Sequence, residues 1–375
     1  MKVLHICNGF ADSKVHSNLT KALDELGIQQ TVYCPVREEK FLGINQFEGN
    51  KIDFVYSFCI RPWYKYVYHY KRRRLYQDIK RRIVLNKYDI IHAPSLFSDG
   101  GLALKAYKEY GIPYVVAVRN TDINAFIKYL KHTHYVGREI ALQAKKIFFI
   151  SKAEMDEFIE SDFVRPIFSQ IKDKMVLQPN GIENYWHEHI SHTPRKGHQI
   201  LYVGDFTPNK NICRVIQAIN QLRNITEFAD LKFVVVGGGK DKDNSTLKMI
   251  ESYPDFIEYK GKIYDKEKLA NIMQQSSLFV MPSIHETFGL VYIEALSQNL
   301  PVIYSKGQGV DGLFDETVGI RVNALSVDEI RDAIRNILDN PNKYSNNKVS
   351  FTDFDWKNIA EKYIGFYRDA IELPY

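Results

Sequence analysis

The chain has no uninterrupted apolar run approaching the roughly 18 residues of a membrane-spanning helix, and a helical anchor is not expected. Its N-terminus, MKVLHICNGF, lacks a basic leader and passes straight into a strand-like apolar run, so no secretory signal is read there. Cysteine is scarce. Cys7, Cys34, Cys59 and Cys213 are widely spaced with no CxxC pair, and read as reduced, buried thiols of a cytoplasmic protein. There is no HExxH motif, no Asp-x-Asp element in a metal-binding setting, no short-period repeat and no low-complexity tract. No metal site and no repeat architecture are therefore expected. Nor is one sign of charge in excess over most of the chain. The formal net charge is +5, yet Arg61–Lys87 holds ten Lys/Arg against the single acid Asp78, +9 in that stretch alone. A local basic patch, not a basic protein, needs an explanation.

At 375 residues, 45% hydrophobic and 25% charged, the chain has the composition of a globular protein and the length of two domains. Short apolar runs alternate with stretches of helical period, the pattern of parallel sheets covered by helices. The spacing predicts strands at Val3–Cys7, Thr31–Tyr33, Asp89–His92, Pro113–Val118, Lys146–Ser151 and Met175–Gln178. A second series follows at Ile200–Val203, Leu231–Val236, Ile257–Tyr259, Ser277–Met281 and Pro301–Tyr304. Tyr185–His198, rich in His, Pro and Lys without apolar periodicity, reads as the linker. The expected fold class is α/β: two Rossmann-like doubly wound domains, with ligand bound in a cleft at the strand C-terminal ends. The domain boundaries drawn are 1–190 plus a C-terminal helix at 355–375, and 199–354.

The most informative stretch runs from Phe279 to Ala295, FVMPSIHETFGLVYIEA. A buried strand ends at Pro282, a loop carries Glu286, and a helix begins near Phe288-Gly289. Unpaired amides at a helix start, aided by its dipole, can bind a diphosphate. Gly289 removes the side chain where phosphate must come close. Glu294 lies about 6–8 Å further along the axis at 1.5 Å per residue. Two carboxylates thus flank an anion site, as a nucleotide sugar flanks its diphosphate with a hydroxyl-bearing hexose and ribose. The plainer reading is an acidic first turn complementing the helix dipole.

These residues resemble the Glu-x7-Glu signature of the large retaining glycosyltransferase family 4, of GT-B fold. Leu201–Asn211, Phe233–Gly239, Ile257–Ile263 and Phe354–Tyr363 are similar to further segments of that family. The resemblance covers the whole second half and, more loosely, the first. It implies that Glu286 holds the donor sugar's hydroxyls and Glu294 the ribose. Amides near Thr287, Phe288, Gly289 and Leu290, with Lys210, would hold the diphosphate, and backbone at Ile263 would contact the base. Catalysis is assigned to Glu286, Lys210 and Arg119, with no metal and no cofactor beyond a UDP- or GDP-linked donor. The implied partners are that donor and a glycan or lipid-linked acceptor in surface or capsular polysaccharide synthesis.

The chain departs from the family pattern in two places. Asp205 stands where the family commonly has Arg, five residues before the Lys. Arg119, in Val118-Arg119-Asn120-Thr121-Asp122, stands at the family's strand-end His and is expected to restore the missing positive charge from across the cleft. Gly9, in Asn8-Gly9-Phe10-Ala11, occupies the place of a Gly-rich turn beside the reaction centre; a plain strand–helix connection explains it equally well.

Other signals are weaker. Gly237-Gly238-Gly239 lacks the last glycine of a dinucleotide frame, since position 242 is Lys242. His187, His189 and His192 near Glu188 could suggest a metal, but sit in the expected linker. Residues 61–87 interleave cations with aromatics: a solvated helix face first, attachment to an anionic membrane surface second, nucleic acid last, and no nucleic-acid partner is expected. A nucleotide-sugar 2-epimerase of the same architecture and a catalytically silent binding subunit are the competing functions.

Overall fold

The computed structural model describes residues 1–195, 197–239 and 244–372, excepting the side chain of Lys65. Lys242, Lys196 of the expected linker and residues 373–375 of the expected C-terminal segment lie outside the described residues. The chain divides into two compact units. The first comprises Met1–Ile150, Glu154–Gly181 and the helix from Trp356; the second comprises Ser151–Ala153 and Ile182–Asp355.

The first unit carries a parallel sheet of β1 (Lys2–Ile6), β2 (Gln29–Val36), β3 (Ile52–Phe58), β4 (Ile90–Ala93), β5 (Tyr114–Ala117), β6 (Ile147–Phe149) and β7 (Met175–Leu177). Their spatial order is β3-β2-β1-β4-β5-β6-β7, with Leu4 of β1 paired to Thr31 on one side and Ile91 on the other. The second unit repeats the plan with β8 (Gln199–Gly204), β9 (Lys232–Gly237), β10 (Ile257–Tyr259), β11 (Leu278–Val280), β12 (Val302–Ser305) and β13 (Gly319–Val322). Their order is β10-β9-β8-β11-β12-β13. Each order reverses direction once, between β1 and β4 and between β8 and β11. Open α/β sheets bind ligands at such a reversal, beyond the strand C-terminal ends.

Central strands are legible because a parallel sheet covered on both faces demands continuous apolar runs. β4, β5, β11 and β12 are buried throughout. The two strands that the apolar pattern misses, β3 and β13, are sheet edges in which only some residues are fully buried.

The segment expected to be a linker packs within the second unit. Asn184–Glu188 forms a short helix that buries Trp186. Arg195 is buried too, its Nε donating to the Gln298 carbonyl at 2.9 Å and Nη1 to the Gln274 carbonyl at 3.1 Å. Polar side chains do the anchoring here, so no hydrophobic period marks it. The three histidines go to separate acceptors: His187 to the Phe354 carbonyl, His189 to the Tyr185 carbonyl and His192 to Asn346 Oδ1.

The helix Trp356–Glu372 belongs to the first unit, where Ile359, Tyr363 and Tyr367 pack with Val3, Leu23, Ile90 and Phe148. Tyr363 lies 4.7 Å from the Phe148 ring and stacks on His92 at 5.3 Å, while the Tyr367 hydroxyl pairs with His92 Nδ1 at 2.7 Å. Tyr363→Ala should therefore destabilise the first unit by about 3–5 kcal/mol through an unfilled aromatic site. Urea unfolding checks this; a loss below about 1 kcal/mol would mean the helix is not part of that core.

Candidate active site

In the second unit the two loops at the sheet reversal meet. The loop after β8 leads through Thr207 into a turn, Pro208–Lys210, and then to Asn211 in a left-handed conformation. Asn211 fixes that turn by donating its side-chain N–H to the Pro282 carbonyl at 2.9 Å and the Ala324 carbonyl at 2.5 Å. Asn209 ties the same turn to the loop after β11: its Oδ1 accepts the His285 N–H at 2.9 Å and its Nδ2 donates to the His285 carbonyl at 2.8 Å. Between these ties Lys210 Nζ meets Glu286 Oε2 at 2.7 Å, with both side chains mostly shielded at 23% and 12% exposure. Ser283 Oγ donates to the same carboxylate oxygen at 3.2 Å. The Glu286 backbone is held from both sides, its N–H by Gln308 Oε1 at 3.0 Å and its carbonyl by the Gly309 N–H at 2.8 Å.

Gly289, with φ 78°, starts the helix Leu290–Ser297. A Cβ on it would lie 2.5 Å from the Tyr292 ring and 3.3 Å from Glu286 Cγ, so the close approach admits glycine alone. Tyr292 anchors the helix to β11 by donating its hydroxyl to the Met281 carbonyl. The first amides of this helix have no intrahelical partner and suit an anion. Phe288 is buried and packs toward Phe354 at 6.4 Å, which leaves its backbone as the available group. Thr287, Gly289 and Leu290 are partly buried. Ile263, also partly buried, lies in the loop that follows β10.

Glu294, one turn and a half along the helix, faces a different set of partners. The Trp186 indole N–H donates to it, and Glu183 and Lys266, themselves an ion pair, act on its charge. Burial, reinforced by the Glu183 carboxylate, pushes its pKa up to about 7 against the pull of Lys266 and Trp186. Asp205 presents its carbonyl to the Tyr202 hydroxyl at 2.8 Å. The glycine run after β9 has a packing cause: Gly237, at φ 128°, sits where a Cβ would overlap the Gly204 carbonyl.

In the first unit the loops beyond β1, β4 and β5 hold the other assigned residues. Arg119 is half-buried: its N–H goes to Asp122 Oδ2 at 3.0 Å, Nε donates to the Pro94 carbonyl at 3.0 Å, and Nη1 is buried without a hydrogen-bond partner. Asp122 also accepts the Leu96 and Phe97 amides, at 3.0 and 2.9 Å. Asp99 accepts the Asn8 N–H at 3.0 Å and the Ser95 hydroxyl at 2.8 Å. Burial raises Asp99 to about 7 and Asp122 to about 6, and lowers the neighbouring His16 to about 3. Gly9 has an ordinary negative φ of −95°, and a Cβ there would only touch His16 at 3.6 Å. The arrangement is a half-buried cation over strand ends, flanked by carboxylates already committed to amides.

Lys210 and Glu286 are thus in direct contact, with Gly289 beside them and Glu294 on the same helix. Sequence reasoning did not reach Asn209, Asn211, Ser283 and Gln308, which fix the pair, nor Trp186, Glu183 and Lys266, which surround Glu294. Asn211 alone left a signal, as an Asn before an apolar helix, the residue type that tolerates a left-handed turn.

Residues 187–349 match the model of Glycosyl transferases group 1, and residues 14–168 that of Glycosyltransferase Family 4. An uncharacterized glycosyltransferase of Methanocaldococcus jannaschii is 25% identical over 77% of each chain. The Bacillus subtilis (strain 168) chain TuaC, provisionally named a teichuronic acid biosynthesis glycosyltransferase, is 25% identical over 89% of this chain and 88% of its own. Among solved structures, sucrose-phosphate synthase of Thermosynechococcus elongatus aligns with TM-score 0.73 at 18% identity, covering 98% of this chain and 99% of that one. The E. coli trehalose-6-phosphate structure bound with UDP-2-fluoro glucose aligns with TM-score 0.70 at 10% identity over all of both chains. At such identities the structural likeness establishes the two-domain α/β GT-B fold.

The raised Glu294 carboxyl carries a stability signature. Its folded pKa of about 7 exceeds the ordinary 4.5, so the native state holds the extra proton and stability falls as pH rises from about 4.5 to 7. Glu294→Gln removes that loss. The variant should gain about 1–3 kcal/mol over the wild type at pH 8 and little at pH 4. Urea midpoints across that range check it, and a difference independent of pH would contradict the buried, proton-holding carboxyl.

Proposed function

The chain belongs to the group 1/family 4 glycosyltransferases, and from that premise we propose that it is a retaining, metal-independent enzyme that takes its sugar from a UDP- or GDP-linked donor. The observation that carries this reading is the Lys210–Glu286 contact at the sheet reversal, with Gly289 opening a helix beside it and Glu294 further along that helix. A donor replaces the contact with two better ones. Lys210 and the helix-start amides take the diphosphate, and Glu286 takes sugar hydroxyls. Glu294 receives the ribose hydroxyls.

The reaction then needs no metal. As the bond from the anomeric carbon to the diphosphate oxygen breaks, negative charge grows on the leaving group, where a lysine and fixed amides stabilise it. The acceptor oxygen forms its bond to the anomeric carbon on the same face, and its proton passes to the departing phosphate. Arg119 adds positive charge to the first unit's contribution. A glycan or lipid-linked acceptor is favoured by the teichuronic acid biosynthesis named for TuaC and by the basic, aromatic surface at 61–87. No helix among the described residues is long and apolar enough to cross a membrane; the contact proposed with an anionic membrane is a peripheral one through the basic surface at 61–87.

A thermal-shift screen of nucleotide sugars should find a donor that raises the melting temperature by mass action. With that donor, Lys210→Ala should lower turnover by about 10²–10³-fold, and chelation with EDTA should leave wild-type turnover unchanged. Arg119→Gln should lower the turnover of the folded enzyme by more than about tenfold, while stability falls by no more than about 1–3 kcal/mol, the cost of a Pro94 carbonyl left without its donor. A donor epimerised without acceptor, or turnover abolished by EDTA, would overturn the reading.

A further inference from the structure

The basic stretch of the first unit folds into more than a solvated face. The turn Pro62–Tyr66, the helix Tyr68–Arg82, the loop at Ser98 and the segment near Phe126 enclose a cavity of about 50 Å³. One water needs roughly 10–15 Å³ of such space, so this cavity has room for a group the size of a phosphate and not for a nucleotide. Its walls include the apolar faces of Tyr64, Leu75 and Phe126, and its polar groups are Lys71, Arg72 and Ser98.

The charges there are compensated only in part: Arg72 lies over the Tyr68 ring at 5.9 Å and hydrogen-bonds that side chain, and no carboxylate pairs with it among the described residues. Arg72 has both Nε and Nη1 shielded from solvent without a hydrogen-bond partner, and its methylenes press on Gly101, where a Cβ would lie 2.9 Å away. Lys71 is partly buried, and the acid acting on it is Asp99. Both Asp99 oxygens are already engaged, by the Asn8 amide and the Ser95 hydroxyl. The Tyr68 hydroxyl donates to the Phe97 carbonyl at 2.9 Å, which leaves its oxygen to accept from Arg72. Two adjacent cations beside apolar walls cost desolvation until an anion joins them.

A row of aromatic rings continues outward from the cavity wall. Buried Tyr64 meets Trp63 edge-on at 4.7 Å and Tyr70 at 5.8 Å. Trp63 and Tyr70 are 49% and 45% exposed, so the row ends at solvent. A free inorganic anion would use the cations and leave this row unused.

We infer that the pocket binds the phosphate of an amphiphilic acceptor, a phosphate ester on an apolar chain, with Lys71 and Arg72 holding phosphate oxygens and Trp63 and Tyr70 lying along the chain. Its role as acceptor rests on the function proposed above; binding of the phosphate ester does not.

Calorimetry on the full chain with geranyl phosphate, geraniol and inorganic phosphate separates the contributions. Geranyl phosphate should bind at least tenfold more tightly than either of the others, and perturb Trp63 fluorescence. Lys71→Gln and Arg72→Gln should each weaken it by tenfold or more, whereas Arg74→Gln, on the exposed side of the same helix, should change it less than twofold. Should Arg72→Gln fail to fold, as a circular dichroism melt would reveal, Lys71→Gln carries the test. Equal weakening by Arg74→Gln, equal binding of geraniol, or equal binding of inorganic phosphate would overturn the pocket. The nucleotide-sugar melting shift is read on the same variants: its retention alongside lost geranyl phosphate binding supports a separate site, and its joint loss counts against one. If wild type shows no such shift yet binds geranyl phosphate as described, the donor reading fails and the pocket stands.

Discussion

A lysine and a glutamate from loops 76 residues apart in sequence are held against each other where the second sheet reverses. Everything assigned to that unit depends on this contact. With both side chains mostly shielded, removing one partner leaves a partly buried charge, at a cost between about 1 and 3 kcal/mol. Two asparagines and a glutamine fix the surrounding backbone and a serine donates to the carboxylate itself, so hydrogen bonds position the pair in addition to its own attraction. The pair neutralises its own charges, and under the proposed function a ligand parts it by offering a phosphate to one and hydroxyls to the other.

The first unit uses the same strand order differently. Its reversal point carries carboxylates that accept backbone amides and histidines that burial holds neutral, with Arg119 as the half-buried cation above them. Those carboxylates brace loops rather than hold a ligand, because their oxygens are taken. The cation there is the Arg119 guanidinium, and Lys71 and Arg72 line a separate pocket of the same unit.

Much of the fold was legible, for a physical reason. Strands buried on both faces are predominantly apolar, and β1, β4, β5, β8, β9, β11 and β12 announce themselves that way even with the buried His5 and His92 among them. The edges β3 and β13 need only half that pattern and were missed. The stretch Tyr185–His198 reads as a linker in sequence because Arg195, His187 and His192 anchor it through hydrogen bonds, which leave no periodic trace. Glu286, Gly289, Glu294 and Lys210 could be named from local motif and family resemblance. Their surroundings could not. Trp186 reaches Glu294 from a segment with no apparent structure, and no spacing rule connects Ser283 or Gln308 to a carboxylate's orientation. The 61–87 stretch showed its charge in sequence but not its pocket, which needs Ser98 and Phe126 from distant segments.

The central claim, that Glu286 restrains Lys210 until a donor separates them, predicts opposite signs for two ligands of one variant. Calorimetric titration of Glu286→Gln with nucleoside diphosphate and with the matching nucleotide sugar tests it most directly. The account predicts that the diphosphate binds the variant at least as tightly as the wild type, since Lys210 is freed, while the nucleotide sugar loses the affinity its hexose adds. Equal weakening of both ligands would show that Glu286 does not divide the work with Lys210 in this way, and would contradict the account.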